Sequence, residues 1–421
     1  MRILLTSTAS HIPPRGGSTR SNLIWLDELA AHGHTCRVVG GTAAAETPER
    51  LAQLQREMED QEMRTGATEI ARRGDIEIHS VASHSARGVL LRDQIRDFAP
   101  DWVLVSSEDI GQSLLRVAHE AAPGRVVYLA HTPQFFPFGP ASWNPDPDGA
   151  ALVARSAAII AIGEHMAAYI KQHAGRQPAV IHPPIYGSGP FERYGTFQRG
   201  AITMINPCAV KGISIFLALA DEFPIQVFGA LPGWGTTEED RQALAARPNI
   251  TMLRHAKNID EVLNETHLLL VPSLWFEGFG LIVVEAMLRS IPVLASDAGG
   301  LVEAKLSTRF VIPVRAIERY EAAFDDQGLP QPVLPAQDIA PWTAAVHSLT
   351  SDRALYERES ESSRQAALQF VAGLWPRRLE QFLEALPAGE TVASASRAVE
   401  NLSAERRALL LERLRARIQD Q

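Results

Sequence analysis

Short runs of aliphatic and β-branched residues alternate along the chain with stretches whose apolar positions recur every three or four residues. "RILLTST" reads as a buried strand and stops at the Pro-Gly loop "HIPPRGG". From Ser18 to His32, leucines and a tryptophan fall at helical spacing, and Gly33 can close that helix in a left-handed conformation. The alternation continues through "TCRVVGG", "DIEIHSVAS", "DWVLVSS", "RVVYLAH", "AAIIAIG" and "PAVIHPP". Strands apolar on both faces, separated by helices, predict a parallel sheet covered on both sides.

The pattern breaks between Pro183 and Gly200, a Gly- and Pro-rich stretch with little periodicity that reads as a linker. It restarts with "AITMINP", "IQVFGAL", "ITMLRHA", "HLLLVPS", "IPVLASD" and "RFVIPV". The segment from Ile317 to Pro341 is irregular, three helical stretches follow, and after Pro387 a small-residue spacer leads to a charged helix. The predicted architecture is α/β, with two Rossmann-like, doubly wound parallel-sheet domains facing across a cleft. The first spans 1–190 and the second 191–387, with 388–421 as a spacer and amphipathic helix. Ligands of open α/β sheets sit beyond the carboxyl ends of the strands, so the cleft is the expected site.

Composition narrows the class. The 421 residues are 46% hydrophobic and 21% charged, with a net charge of −9, a balance that argues against nucleic-acid binding through bulk charge. Two cysteines, Cys36 and Cys208, make no disulfide scaffold and suit a reducing compartment. The opening residues lack the long apolar core of a signal peptide, and no run approaches a membrane span, so a cytoplasmic protein is expected.

One apolar stretch carries groups that a core does not want. "PSLWFEGFGLIVVEAML", Pro272 to Leu288, holds Glu277 and Glu285 with Gly278, Phe279 and Gly280 between them. Carboxylates are seldom buried unless paired. Glu277 falls on the loop at a strand's carboxyl end, and Glu285 about one and a half turns into the following helix. Glycines let a ligand approach the backbone, and a helix N-terminus offers free N–H groups to an anion. The implied ligand has a phosphate flanked by polyols, as a sugar nucleotide does.

The stretch "PSLWFEGFGLIVVEAMLRSIPVLASDAGGLVEA" resembles the signature of retaining glycosyltransferases of the GT-B fold, family 4. "PPRGGSTRSNLIWLDELAAHGHTCRVV", "VVYLAHTP" and "INPCAVKGISIFLALA" resemble other segments of that family in the same order. The resemblance implies that Glu285 binds the ribose hydroxyls of the donor and that Glu277 faces its sugar. The N–H groups of Phe279, Gly280 and Leu281 would hold sugar and diphosphate. Lys211 would neutralise the departing diphosphate, Gly16 and Gly17 would bring the first domain close, and His131 would sit near the transferred sugar. The last helices of the second domain would cross back onto the first. No metal and no cofactor beyond the nucleoside-diphosphate sugar is expected. An arginine usual in the family five residues before the lysine is Asn206 here, so either Arg254 supplies the missing charge or phosphate binding is weaker.

Plainer readings stand beside these. Gly16 and Gly17 could form only a tight turn, His131 a satisfied strand-end histidine, and Lys211 a helix-start residue. Asp146 and Asp148 in "NPDPDG" read as turn and cap residues, and Cys208 as a small filler. The alternatives to a transferase are a non-catalytic sugar-nucleotide-binding protein and a sugar-nucleotide epimerase of the same fold. In the tail, Ser403 can cap a helix with Leu410, Leu411, Leu414 and Ile418 on one face. It is expected to pack on the protein's own body or a twin chain, or to dock a biosynthetic partner or an acidic membrane surface.

Overall fold

The computed structural model describes residues 1–43, 63–64, 68–254 and 258–387. The tail helix expected after Ser403 lies outside the described residues.

The first domain is built on a nine-stranded sheet. Its strands are β1 (Arg2–Ser10), β2 (Thr35–Gly41), β3 (Met63–Arg64), β4 (Glu69–Arg73), β5 (Ile76–Ser80), β6 (Trp102–Ser106), β7 (Val126–Ala130), β8 (Ala158–Ala161) and β9 (Ala179–Val180). They lie in the order β3-β4-β5-β2-β1-β6-β7-β8-β9. β6 and β7 are buried at every position, and Val103 lies beside Val126 in parallel register. The sheet is not wholly parallel: β4 pairs antiparallel with both β3 and β5. Its sequence, "EIARR", buries only Ala71, so no apolar run announced it.

The second sheet is six parallel strands: β10 (Ala201–Ile205), β11 (Phe228–Leu231), β12 (Ile250–Met252), β13 (Thr266–Val271), β14 (Val293–Ser296) and β15 (Val311–Ile312). Their order is β12-β11-β10-β13-β14-β15. The stretch read as irregular, Ile317 to Pro341, contains an antiparallel hairpin, β16 (Tyr320–Phe324) with β17 (Pro330–Pro332). A strand of Pro-Gln-Pro has few donors for a ladder, which is why it read as loop and why it lies in a two-stranded ribbon.

In each sheet the chain winds outward from one central strand and then crosses back. The direction changes between β1 and β6 in the first sheet and between β10 and β13 in the second. These switch points open a crevice at the strands' carboxyl ends. Helix α1 (Gly17–Ala31) follows β1 and buries Asn22, Leu23, Leu26 and Leu29, positions three and four apart that face the sheet.

The domains share apolar surface. One cluster runs from Ile3, Leu23 and Leu104 of the first domain to Phe279, Val283 and Met287 of the second. It includes Leu379 and Leu383 on the last described helix, Arg378–Ala385. That helix lies against the first domain: the Trp102 indole donates to the Leu383 carbonyl at 3.1 Å, and His34 meets Glu380 at 3.1 Å. Polar groups also cross. The helix Glu164–Ala174 starts at Gly163, which has no capping side chain, and Glu303 of the second domain takes that role. Its carboxylate accepts from the Glu164 and His165 N–H groups at 3.0 and 3.2 Å.

The tightest approach is at Gly278. A Cβ there would lie 2.1 Å from the His131 carbonyl oxygen, backbone against backbone across the cleft. Gly278→Ala should therefore keep the domains from seating and destabilise by about 1–3 kcal/mol, the usual range for overpacking. The expected result is a lower thermal midpoint with a larger radius of gyration by X-ray scattering. An unchanged midpoint and radius would mean that this contact does not hold the closed form.

Candidate functional site

The six residues of β13, "THLLLV", are apolar after the first two, and the chain leaves the sheet at Pro272. The loop to Gly280 carries Glu277, and the helix Leu281–Leu288 (α9) carries Glu285. On the neighbouring strand β10, the chain passes Asn206 and makes a single turn, Ala209–Lys211. Gly212 then adopts φ +83°, and a Cβ there would stand 2.0 Å from the Pro272 carbonyl oxygen. Only glycine lets the two loops lie this close. A Leu274 N–H bond to the Val210 carbonyl, 2.9 Å, ties them together.

The result is a half-buried ion pair. Lys211 Nζ lies 2.5 Å from Glu277 Oε1, and the same oxygen accepts from Ser273 Oγ at 2.5 Å and from the Trp275 indole at 2.9 Å. Burial alone would push the Glu277 carboxyl up. The Lys211 charge and the three hydrogen bonds outweigh that, and its pKa is lowered. The ammonium also lies 4.7 Å from the Trp275 ring centroid and 6.0 Å from that of Trp234.

Asn206 has a different task from the arginine it replaces. Its Oδ1 accepts from the Gly235 N–H at 2.9 Å, fixing the loop that carries Trp234, while its Nδ2 is buried without a partner. Trp234 in turn covers the Gly16 end of the first-domain loop, 3.6 Å from where a Gly16 Cβ would be. Arg254 is not brought to this group. It is exposed beyond the edge strand β12, two strands from β10, and no hydrogen bond among the described residues joins it to Lys211 or Glu277.

Gly17, Gly280 and Leu281 come together. A Cβ on Gly17 would be 3.4 Å from Leu281, and Gly280 caps α9 at φ +105°. The first N–H groups of that helix face the same crevice, with the positive end of its dipole. Phe279 is buried, packing on Phe370 and His182. Glu285 is also buried, and its partner comes from the other domain: Arg20 on α1 donates to Oε1 at 2.7 Å.

His131 ends β7 and is buried. Its Nε2 lies 2.9 Å from Asn22 Oδ1, and Asn22 Nδ2 donates to Ser106 Oγ at 3.0 Å. That chain makes Nε2 the donor and leaves Nδ1 a bare acceptor, buried without a partner. Burial lowers the ring's pKa, so the neutral imidazole is the form present at pH 7.

Two residues beside it were not singled out from the sequence. His11 follows β1 and Glu108 follows β6, so the three side chains stand at the ends of adjacent strands β1, β6 and β7. Both His11 nitrogens and both Glu108 oxygens are buried without hydrogen-bond partners. Burial draws His11 down to about 4, with Glu108 opposing. The signal was available: His11 directly follows a strand, as His131 does, and Glu108 comes two residues after one. Asp146, read as a cap, accepts from the Asp148 and Gly149 N–H groups at 3.1 and 3.0 Å.

Residues 15–186 match the family model described as Glycosyltransferase Family 4, and residues 213–326 the one described as Glycosyl transferases group 1. No curated relative matches significantly. Among solved structures, sucrose-phosphate synthase of Thermosynechococcus elongatus superposes with a TM-score of 0.63 at 14% identity, over 91% of this chain and 98% of that one. HepE of Anabaena, solved in complex with UDP-glucose, gives 0.60 at 14%, over 92% and 100%. WaaG, described as a glycosyltransferase involved in lipopolysaccharide biosynthesis, gives 0.59 at 14%, over 92% and 100%.

The ion pair makes its own test. Lys211→Met leaves a half-buried carboxylate without its cation and should cost about 1.5–3 kcal/mol at neutral pH. Adding Glu277→Gln should recover part of that loss. The folded Glu277 carboxyl titrates below the unfolded one, so its stabilisation is complete above the unfolded value, about pH 4, and is lost as pH falls through the lower folded value. The stability gap between wild type and Glu277→Gln, by urea denaturation, should therefore close on acidification below about pH 4. A constant gap would show that Lys211 does not hold Glu277 ionised.

Proposed function

The chain belongs to the glycosyltransferases of the GT-B fold, and from that premise we propose that it moves a sugar from a nucleoside-diphosphate sugar to an acceptor with retention of anomeric configuration and without a metal. The observation that carries this reading is the Lys211–Glu277 pair at the second domain's switch point, apposed to His131 of the first.

In this reading the diphosphate lies against the N-terminus of α9 and Lys211. Both are placed to meet the charge that grows as the bond from the anomeric carbon to the phosphate oxygen breaks. Glu277 orients the sugar hydroxyls. Its Oε1 already accepts three hydrogen bonds and its pKa is lowered, so it is a poor proton acceptor. The departing phosphate oxygen is the better one. The acceptor hydroxyl attacks the anomeric carbon on the face the phosphate leaves and passes its proton to that phosphate. Attack and departure on one face retain the configuration. Neutral His131 presents an acceptor nitrogen, and His11 and Glu108 are the polar groups available to an acceptor's hydroxyls. Glu285 is left for the ribose. UDP-glucose, the ligand named for HepE, is the first donor to try.

Incubation with the donor should release nucleoside diphosphate only when an acceptor is present, and NMR should show the product with the donor's anomeric configuration. Release without acceptor, or an inverted product, would defeat the reading. Lys211→Ala should lower kcat about 10²–10³-fold, because its interaction grows in the transition state. Activity should persist in EDTA. Loss that magnesium or manganese restores would refute metal independence.

A further inference from the structure

Glu285 lies in an apolar helix, yet it faces a cation from the opposite domain. Arg20 is one turn into α1, just beyond the Gly16-Gly17 loop that packs on Leu281. Its guanidinium meets Glu285 Oε1 at 2.7 Å, and the proximity of the carboxylate raises the pKa of the arginine. The carboxylate side chain is 5% exposed and the arginine 40%, so the pair reaches from the core to the open edge of the cleft. Only Oε1 is used; among the described residues no hydrogen bond goes to Oε2. Beside them the Tyr186 hydroxyl is buried with no partner, in the field of both charges. A built polar pocket therefore has three parts: one free carboxylate oxygen, one unpartnered hydroxyl and the spare N–H groups of a guanidinium.

We propose that Arg20 is a positioning and specificity residue for the ribose of the donor, closing from the first domain a site that Glu285 opens in the second. The inference rests on the reading of Glu285 as the ribose-binding carboxylate. A vicinal diol needs an acceptor for its protons and gains from a donor to its oxygens. Glu285 supplies the first through Oε2, and Arg20 supplies the second through the N–H groups it does not spend on Oε1. The guanidinium fork can serve carboxylate and hydroxyl together, which a lysine ammonium, as a point charge, does less well. Because the two halves sit on different domains, the nucleoside is held fully only when the domains are apposed.

Calorimetry with UDP and dUDP, ADP and dADP, and GDP and dGDP tests this, with folding of each variant checked by its thermal midpoint. Wild type should bind one ribonucleotide better than its 2′-deoxy form. Arg20→Met should bind that ribonucleotide roughly tenfold or more weakly, the loss expected for a hydrogen bond to a charged group, and should lose the preference for ribose. Arg20→Lys should fall between and carries the test if the methionine variant does not fold. Unchanged affinity and preference would reduce the contact to an ordinary ion pair and overturn the proposal. Tighter binding would overturn it too, showing Arg20 to be a competitor for the carboxylate. Glu285→Gln separates the layers. If it leaves binding unchanged, the reading of Glu285 is wrong. If it weakens binding while Arg20→Met does not, only the role of Arg20 fails.

Discussion

The organisation of this molecule depends on one half-buried contact, the ion pair of Lys211 with Glu277. It joins the loops that follow β10 and β13, the two strands between which the second sheet changes direction. A pair withdrawn this far from solvent gains little over apolar packing, but removing one partner is costly. Once Lys211 is seated, Glu277 must stay. Ser273 and Trp275 then complete the oxygen it presents, Gly212 must remain without a side chain, and Gly278 follows at the only spacing that lets the first domain approach.

The seam between the domains follows the same logic. The first domain leaves a helix uncapped at Gly163, and the second domain supplies Glu303. The second domain buries Glu285, and the first supplies Arg20. The last described helix buries Glu380, which Arg377 holds through two bonds and which His34 of the first domain also meets; the carboxyl is drawn down to about 2, its hydrogen bond to Arg377 being the largest cause. Each domain completes polar groups that would be costly to bury alone. Apolar surface brings the halves together, and these pairs fix their register.

Much of this was legible in the sequence, for identifiable reasons. Strands buried on both faces, such as "WVLVS" and "VVYLA", are uniform apolar runs and declare themselves. β4 did not, because an antiparallel strand near a sheet edge can be mostly charged. The glycine-glutamate pattern located the loop of Glu277, since glycine and carboxylate in an apolar context are both conspicuous. What the pattern could not give was the partner of each charge. Glu285 and Arg20 are far apart in the chain, and only the apposition of the two sheets joins them. Asn206 showed as a missing cation; its task of holding the Trp234 loop depends on a backbone N–H that no periodicity marks. His11 and Glu108 were hidden for a simpler reason. Each looks like an ordinary loop residue until β1, β6 and β7 are known to be neighbours.

The same pairs bear on how a charged ligand can enter a site so well buried. An empty pocket of bare carboxylates would carry a large desolvation cost and would repel a diphosphate. Here the carboxylates are already matched, Glu277 by Lys211 and Glu285 by Arg20, and each keeps bonding capacity in reserve. Glu277 is bonded through Oε1 among the described residues, and so is Glu285. Binding of a sugar nucleotide then adds to existing pairs and does not need to create them. The second domain has one cation fewer at this point than the family pattern leads one to expect. The dipole of α9, the Lys211 ammonium between the aromatic faces of Trp234 and Trp275, and the guanidinium reaching in from the first domain distribute the remaining positive charge along the cleft. On the proposed reading, that distribution would make closure of the domains part of binding, because a share of the charge that the donor meets would belong to the domain that does not carry its diphosphate.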